Sequence, residues 1–209
     1  MNKIKIVRLL ITLIMLLKGR GKMKKTLCAL IVMMIFSGAA FCASSSELKR
    51  MSTFVSNFTE LGMMKFHVDD LSDSELADFG IWHNYRNNFK SRIKRCPKKN
   101  CPYGSLIIDK SYVAESVKKY FDREIDHQSA SDSYGHYDGR VYHFEGADGE
   151  SAFYARVYEA EKQGNIIIMR GETYEPEHGS EGSTFTARAK PYKYNGKNTW
   201  AIVSLVVDD

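Results

Sequence analysis

The segment RCPKKNCPYG, residues 95–104, carries two cysteines separated by four residues in a run of prolines and lysines. Such a pair could be half of a zinc site, a redox pair or a structural disulfide. A zinc site takes four ligands, and no second cysteine pair or His-x₃₋₅-His motif follows. The nearest histidines, His83 and His127, are distant in the sequence. A thioredoxin-type redox pair has the shorter Cys-x-x-Cys spacing at a helix start.

The N-terminus indicates the compartment in which these cysteines work. From Met23, the chain MKKTLCALIVMMIFSGAAFC has a basic start, a short apolar run and then small residues, the layout of a secretory signal peptide. The apolar run is shorter than the roughly 20 residues that cross a bilayer. Small residues at Ala40 and Cys42 predict cleavage before Ala43. Lipidation of Cys42 is the alternative, although the bulky Phe41 before it departs from the usual lipidation box.

A second basic and apolar stretch, residues 1–22, precedes this complete signal. An over-extended start codon is the explanation we prefer, and a membrane hairpin anchor is the alternative. The predicted organisation is a targeting segment over 1–42 and a single α+β domain over 43–209, without a transmembrane segment in the mature chain.

Removing the targeting segment changes the charge of the protein. It takes away eight of the 30 Lys and Arg residues and none of the 25 Asp and Glu residues, which leaves 22 basic residues and a net charge of −3. The mature chain therefore lacks the basic footprint of a nucleic-acid-binding domain.

Export places Cys96 and Cys101 in an oxidising environment, where neighbouring thiols become disulfides. With no further zinc ligands recognised, the sequence predicts a structural disulfide between them. It would close the turn that follows a long helix. We expect neither a bound metal nor a cofactor.

Two other groups of side chains could carry out chemistry. His83, in a polar cluster with Asn84 and Arg86, is the best candidate for a general base, because an unperturbed histidine titrates near neutrality. A structural histidine at the seam between helix and sheet is the alternative. A second group, of acids with one histidine, follows the middle of the chain: Asp138, His143, Glu145, Asp148, Glu150. Metal binding is one interpretation, but the segment EGADGE lacks the spacing of a calcium loop. It indicates a turn between two strands instead.

Candidate binding residues fall into two sets. Seven basic residues and no acid lie between Arg86 and Lys99, while residues 138–181 are acid-rich; this polarity could attract an anionic polymer or a partner surface. Tyrosines of the C-terminal half could form an aromatic platform for a peptide or glycan. The predicted binding residues are Tyr85, Arg86, Lys90, Arg92, Tyr154, Tyr158 and Tyr174.

Three helices should precede the strands. Apolar spacing predicts helices over about 46–59, from the Ser72–Glu75 capping box to the residues before Pro97, and over about 111–123. A short strand, SLIID, lies between the last two. From residue 140 the apolar period changes to two, which predicts five strands with tight turns at Gly164-Asn165 and Asn195-Gly196. The expected fold class is α+β, with N-terminal helices packed on one face of a curved antiparallel meander sheet.

This order of elements, over about 46–207, resembles the cystatin-like and nuclear-transport-factor-2-like (NTF2-like) cone folds. FVSNFTELGM (54–63) and DFGIWHNYRNN (78–88) resemble segments of uncharacterised exported proteins of anaerobic gut bacteria. The first resemblance implies a fold alone, and the second implies export to the periplasm or the medium.

The most favoured function is an exported, non-enzymatic module that binds a protein, peptide or glycan. A small enzyme with a polar pocket at the mouth of the cone, using His83, is one alternative. An inhibitor-like protein that inserts a loop such as EPEHGSEG into another enzyme is the other.

Overall fold

A computed structural model describes residues 43–130, 133–147, 152–176 and 180–208, with the side chains of 180 and 181 left aside. These residues belong to one compact unit. The predicted signal peptide, its cleavage point and the lipidation of Cys42 concern residues 1–42, which lie outside the described residues.

The three predicted helices are present: α1 (Ser45–Thr59), α2 (Asp73–Arg92) and α3 (Lys110–Phe121). The predicted capping box begins α2, since the Ser72 N–H donates to Glu75 Oε2 at 2.8 Å and Ser72 Oγ accepts from the Glu75 N–H at 3.3 Å. A single 3₁₀ turn, Val68–Asp70, precedes it.

Helix α2 ends earlier than the sequence predicted. Ile93–Arg95 form strand β2 instead of a last helical turn, and Ile93 pairs with Ile108 of the next strand. This pairing buries the Ile93 side chain, which is 8% exposed. The chain therefore leaves the helix before Pro97, and the two cysteines lie in a loop between strands.

The strands form two antiparallel sheets. The larger has the order β1-β9-β8-β7-β6, and its strands are Lys65–His67, Lys197–Val207, Ser180–Tyr194, Ile166–Glu175 and Tyr154–Gln163. The smaller has the order β2-β3-β5-β4, and its strands are Ile93–Arg95, Leu106–Asp109, Val141–Phe144 and His136–Tyr137.

The predicted α+β class with a curved antiparallel sheet is confirmed, with one correction to the strand assignment. The segment RVYHF does not begin the meander but forms β5 of the smaller sheet, paired with β3 and β4. Both predicted hairpin turns are present, and Asn195 and Gly196 have φ of +48° and +76°, as a type I′ turn requires.

Each sheet has its own core. Helix α1 covers the larger sheet and contributes buried side chains such as Met51, Phe54 and Phe58. Helices α2 and α3 enclose β3 and β5 around Ile81, Val113, and the fully buried rings of Tyr142 and Phe144. Strand β5, which carries His143, is paired with β3 along one edge and with β4 along the other.

Candidate metal centre

The candidate site forms where the loop over 96–105 passes β5. In the β3–β5 pairing, Leu106 lies opposite Phe144 and Ile107 lies opposite His143. Because Leu106 directly follows the loop, this register brings the cysteines next to His143.

Three contacts hold the loop in this position. The Cys96 N–H donates to the Ser105 carbonyl at 2.8 Å and closes the base of the loop. The Ser105 N–H and Oγ donate to the two carboxylate oxygens of Glu145 at 2.8 and 2.9 Å. At Gly104, with φ +124°, a Cβ would lie 2.1 Å from the carbonyl carbon of Phe144. Only glycine permits this approach and this backbone conformation.

The sulfurs of both cysteines converge on a single nitrogen of His143. The distances to Nδ1 are 3.5 Å from Cys96 Sγ and 3.4 Å from Cys101 Sγ. All three atoms lie within 4.8 Å of one another. The imidazole is buried, at 3% exposure, whereas the cysteines are half-buried. The group is therefore anchored inside the protein and reachable from its cysteine side.

The predicted disulfide is not formed in this structure, in which both cysteines are free. A disulfide would hold the sulfurs about 2.05 Å apart, whereas here each sulfur contacts the imidazole nitrogen. His143 of β5 supplies a buried nitrogen that both sulfurs contact, and this contact takes the place of the predicted sulfur–sulfur bond. Disulfide formation in the exported protein stays a prediction.

Asp138 determines which imidazole nitrogen faces the sulfurs. His143 Nε2 lies 2.9 Å from Asp138 Oδ2, and Asp138 Oδ1 accepts from the N–H groups of Arg140 and Val141, both at 3.0 Å. The hydrogen bonds from Val141 and then from His143 hold the pKa of Asp138 well below its usual range. Since an ionised carboxylate only accepts, Nε2 carries a proton, and an imidazole protonated at Nε2 alone would present the Nδ1 lone pair to the sulfurs.

These distances suit a tetrahedral metal ion. A zinc-bound sulfur and a zinc-bound nitrogen, at bond lengths of about 2.3 and 2.05 Å, lie about 3.6 Å apart at the tetrahedral angle. The observed separations of 3.5 and 3.4 Å are close to that value. A carboxylate on the far nitrogen of a ligating histidine is the usual outer partner at zinc sites.

The cysteine side of the cluster opens onto a groove of about 740 Å³, lined by Cys96, Cys101, Glu145 and three cationic residues of the loop region. Those residues are Lys94, Arg95 and Lys98. Within the described ranges, none of the three forms an ion pair. A water or a small ligand can therefore reach the cysteines.

Both halves of the cluster are visible in the sequence, but their proximity is not. Cys96 and Cys101 form an isolated pair there, and Asp138, His143 and Glu145 belong to a separate acidic stretch. The structure brings these five residues together through the pairing of β3 with β5. Asp148 and Glu150 lie outside the described residues. A histidine between Tyr142 and Phe144, in a strand expected to be buried, was the available signal.

His83, the predicted general base, is a buried residue of α2 and is not part of this cluster. It is 5% exposed, its ring stacks on Phe79 at 5.5 Å, and its Nδ1 lies 3.3 Å from Asn87 Nδ2. Burial, with the nearby charges of Lys119 and Arg92, lowers its pKa to about 4. These surroundings suit a neutral structural histidine.

The predicted binding residues of α2 have different surroundings from one another. Arg86 and Lys90 are exposed. Tyr85 is half-buried and donates to the Ala147 carbonyl at 3.3 Å. Arg92 pairs with Glu115 at 3.1 Å and donates to Asn84 at 3.1 Å, so it belongs to an internal polar network.

The predicted tyrosines lie on two neighbouring strands of the larger sheet, Tyr154 and Tyr158 on β6 and Tyr174 on β7. Tyr154 and Tyr174 are register partners with ring centroids 5.9 Å apart, and Arg156 lies over the Tyr174 ring at 4.9 Å. Tyr158 is 55% exposed. No hydrogen bond, ion pair or ring contact between described residues joins this set to the set on α2.

Comparison with protein-family models, curated proteins and solved structures finds no match to this chain. Within the part of the chain that the structure describes, no helix is long and apolar enough to cross a membrane.

Proposed function

We propose that this chain is an exported protein whose domain binds a zinc ion through Cys96 Sγ, Cys101 Sγ and His143 Nδ1. Asp138 acts as a positioning residue that keeps the proton on His143 Nε2. The single observation that carries the proposal is the equal approach of the two sulfurs to one lone pair, at 3.5 and 3.4 Å.

This equality favours a metal over a nucleophilic cysteine. A catalytic cysteine needs its base on one sulfur, and one Nδ1 cannot serve two thiols equally. A metal ion placed among the three atoms satisfies both sulfurs at once, as thiolates, and the imidazole as a neutral ligand.

Three protein ligands leave one tetrahedral position for water or a small ligand. The groove at the cysteines supplies access to that position, and its lining of Lys94, Arg95 and Lys98 favours an anionic ligand. The site thus supports ligand binding at the metal, in keeping with the expected non-enzymatic binding module.

Titration of the reduced, purified protein with Co²⁺ under anaerobic conditions tests the proposal. We expect one ion per chain, with thiolate-to-cobalt charge-transfer absorption and the strong visible bands of tetrahedral coordination. Zn²⁺ should displace the cobalt. A result with no thiolate-to-cobalt absorption, or with binding unchanged in Cys96→Ser and Cys101→Ser, would refute the metal site.

His136 provides a matched control, because it is the register partner of His143 on β4 and lies outside the cluster. Its exposed ring stacks on Tyr103 at 3.6 Å. His136→Ala should retain the cobalt spectrum and the affinity of the unmodified protein. The Cys→Ser variants should lose more than the roughly 10–100-fold that outer-shell changes cost.

Partner binding at the sheet is a second candidate function, favoured by the contacts among Tyr154, Tyr174 and Arg156. Aromatic and guanidinium groups of this kind bind peptides and sugars. Replacing the exposed Tyr158 by Ala should then weaken capture of a glycan or peptide array ligand without lowering thermal stability. Equal capture by both proteins would count against this face.

The localisation belongs to the same proposal: periplasmic or secreted, with a lipid anchor at Cys42 as the alternative. The signal-like layout after Met23 supports it. A likeness of the fold to the cystatin-like or NTF2-like cone folds is a further proposal, and the order of helices and strands supports it. N-terminal sequencing of protein recovered from the producing cells would test the localisation, since a chain that retains the residues before Ala43 would contradict export by cleavage.

A further inference from the structure

The same two sulfurs that are placed to hold a metal ion are also placed to bond to each other. Both Sγ atoms lie within 4.8 Å of one another and of His143 Nδ1. The cysteines are separated by four residues of an exposed loop. A thiolate ligates zinc, whereas a disulfide sulfur carries no charge for the metal.

We propose that Cys96 and Cys101 form a redox-controlled zinc site: a small-molecule disulfide oxidises the pair, and the new Cys96–Cys101 bond excludes the metal. This inference rests on the proposed zinc site, and it assigns that site an activity in thiol–disulfide exchange. The reduced and oxidised states exclude each other, because each requires both sulfurs.

The anchoring of the loop lets the sulfurs change partners locally. Its base is closed by the Cys96 N–H to Ser105 carbonyl bond, and Ser105 is fixed to Glu145 through two further hydrogen bonds. Between Cys96 and Cys101 the chain is exposed, and Asn100 already adopts φ +56°. The change is therefore confined to the loop, while β3 and β5 stay paired.

The cysteines differ from the histidine in access. His143 is buried against β5, whereas both sulfurs belong to half-buried residues that line the groove. A disulfide of low molecular weight, such as oxidised glutathione, can therefore reach the sulfurs without unfolding the strand. The cationic rim of Lys94, Arg95 and Lys98 suits an anionic disulfide of this type.

The exchange balances in two steps. One protein thiolate attacks a sulfur of the small disulfide, forms a mixed disulfide and releases one small thiol. The second protein thiolate attacks the mixed disulfide at the protein sulfur, forms the Cys96–Cys101 bond and releases the second small thiol. The protein loses two electrons, and the small disulfide gains them and leaves as two thiolates. These thiolates take up the two protons of the metal-free dithiol or, where zinc had already displaced those protons, two protons from solvent. Zn²⁺ leaves as the hydrated ion.

Metal occupancy should in turn protect the thiols. If only the metal-free dithiol reacts, free Zn²⁺ at about 100 times its Kd slows oxidation about 100-fold. The oxidised chain, in contrast, does not rebind the metal even when free zinc is abundant, because a disulfide sulfur carries no charge for it. Oxidation and zinc release should therefore have one rate and one stoichiometry.

The test treats zinc-loaded and metal-free protein with oxidised glutathione, and follows disulfide formation by intact mass and zinc release with a chromogenic chelator. We expect one zinc per Cys96–Cys101 bond, a metal-free form that oxidises about 100-fold faster, and recovery of zinc binding after reduction. Cys101→Ser should stop at the mixed disulfide, seen as a chain with one added glutathionyl group. His136→Ala should behave as the unmodified protein.

The outcomes separate this inference from the zinc site itself. If reduced protein binds no Co²⁺ or Zn²⁺, the proposed function fails first. If it binds zinc, the inference fails when the oxidised chain retains zinc, when the metal-free thiols resist oxidised glutathione, or when zinc gives no protection. Loss of zinc that exceeds the loss in a sample without oxidised glutathione, with both thiols still free, would also overturn it.

Discussion

The Nε2 of His143 lies 2.9 Å from Oδ2 of Asp138, across the turn that joins β4 to β5. The turn itself is built on the same carboxylate, whose Oδ1 accepts from two backbone N–H groups. One side chain thus shapes the hairpin with one oxygen and orients the imidazole with the other. The geometry of the sulfur cluster is therefore determined by a residue that contacts neither sulfur.

Asp138→Asn should weaken zinc binding by roughly 10–100-fold, the usual cost of losing an outer-shell partner. The amide oxygen can retain the turn hydrogen bonds, but an amide nitrogen cannot accept from Nε2–H. The imidazole then loses its preference for the tautomer that leaves Nδ1 free. Competition against a chelator of known affinity measures the effect. The exposed Asp70→Asn is the control and should bind zinc as the unmodified protein does; equal affinity in both variants would contradict the positioning role.

Gly104→Ala should damage both stability and zinc binding. A Cβ at this position would lie 2.1 Å from the Phe144 carbonyl carbon, so the loop must move away from β5 and carry Cys101 with it. Gly164 is a matched control, because it also has positive φ, at +60°, but its Cβ would meet nothing within 4 Å. Gly164→Ala should cost about 1 kcal/mol of stability and leave zinc affinity unchanged. Chemical denaturation and zinc competition on both variants check this, and an intact site in Gly104→Ala would be the contrary result.

The helices were predictable from sequence because their signals are local. The Ser72–Glu75 capping box and the apolar spacing of α1 each lie within a few residues, and the structure confirms both. The strand pairing partners were not predictable in this way. Val141–Phe144 has the alternation of a meander strand, but its partners are β3, more than 30 residues earlier, and β4. Which sheet a strand joins depends on tertiary packing that a two-residue period does not encode.

The candidate site was hidden for the same reason. Cys101 and His143 are 42 residues apart, and only the β3–β5 register makes them neighbours. Ligand spacings recognised in sequences are those within one turn or one loop. A ligand set divided between a loop and a distant strand gives no such spacing. The cysteine pair therefore indicated a disulfide, and the histidine had no visible partner.

Ser56→Ala should destabilise the fold by about 1–3 kcal/mol by leaving a buried N–H without an acceptor. Ser56 Oγ accepts from the Ala155 N–H at 2.9 Å, and Ser52 Oγ accepts from Val157 N–H at 2.9 Å, so α1 covers the otherwise unpaired edge of β6. The exposed Thr53 on the same helix gives the control, Thr53→Ala, for which we expect a change within about 0.5 kcal/mol. Urea denaturation measures both, and equal midpoints would show that the edge bonds contribute little.

His83→Ala should lower stability at neutral pH by roughly 1–3 kcal/mol and flatten its pH dependence on the acidic side. Burial lowers the folded pKa of His83 to about 4, below the ordinary 6.5. The contribution of His83 to stability is therefore present above pH 6.5 and lost as pH falls toward 4, by up to about 3 kcal/mol. Denaturation between pH 7 and 4 checks the slope, with the exposed His67→Ala as control. A well-folded His83→Ala protein that loses a measured turnover would instead support the enzyme alternative.

Asp78→Asn should stabilise the protein above pH 6 by about 1 kcal/mol. This is less than the free energy that corresponds to the whole pKa shift, because the carboxylate is half-exposed and solvent screens its charge. Burial chiefly, with the charge of Glu75, raises the pKa of Asp78 from 3.8 to about 6, although the Tyr134 N–H donates to its Oδ1 at 2.6 Å. A raised folded pKa means that the stability contributed by protonated Asp78 is present below pH 3.8 and lost as pH rises through 6. The asparagine keeps an acceptor for Tyr134 without a charge, so its advantage should vanish below pH 4. Urea denaturation of both proteins at pH 3.5, 5 and 7 measures how the stability difference between them depends on pH, with the exposed Asp70→Asn as the control. A stability difference that does not change with pH would contradict the raised pKa of Asp78.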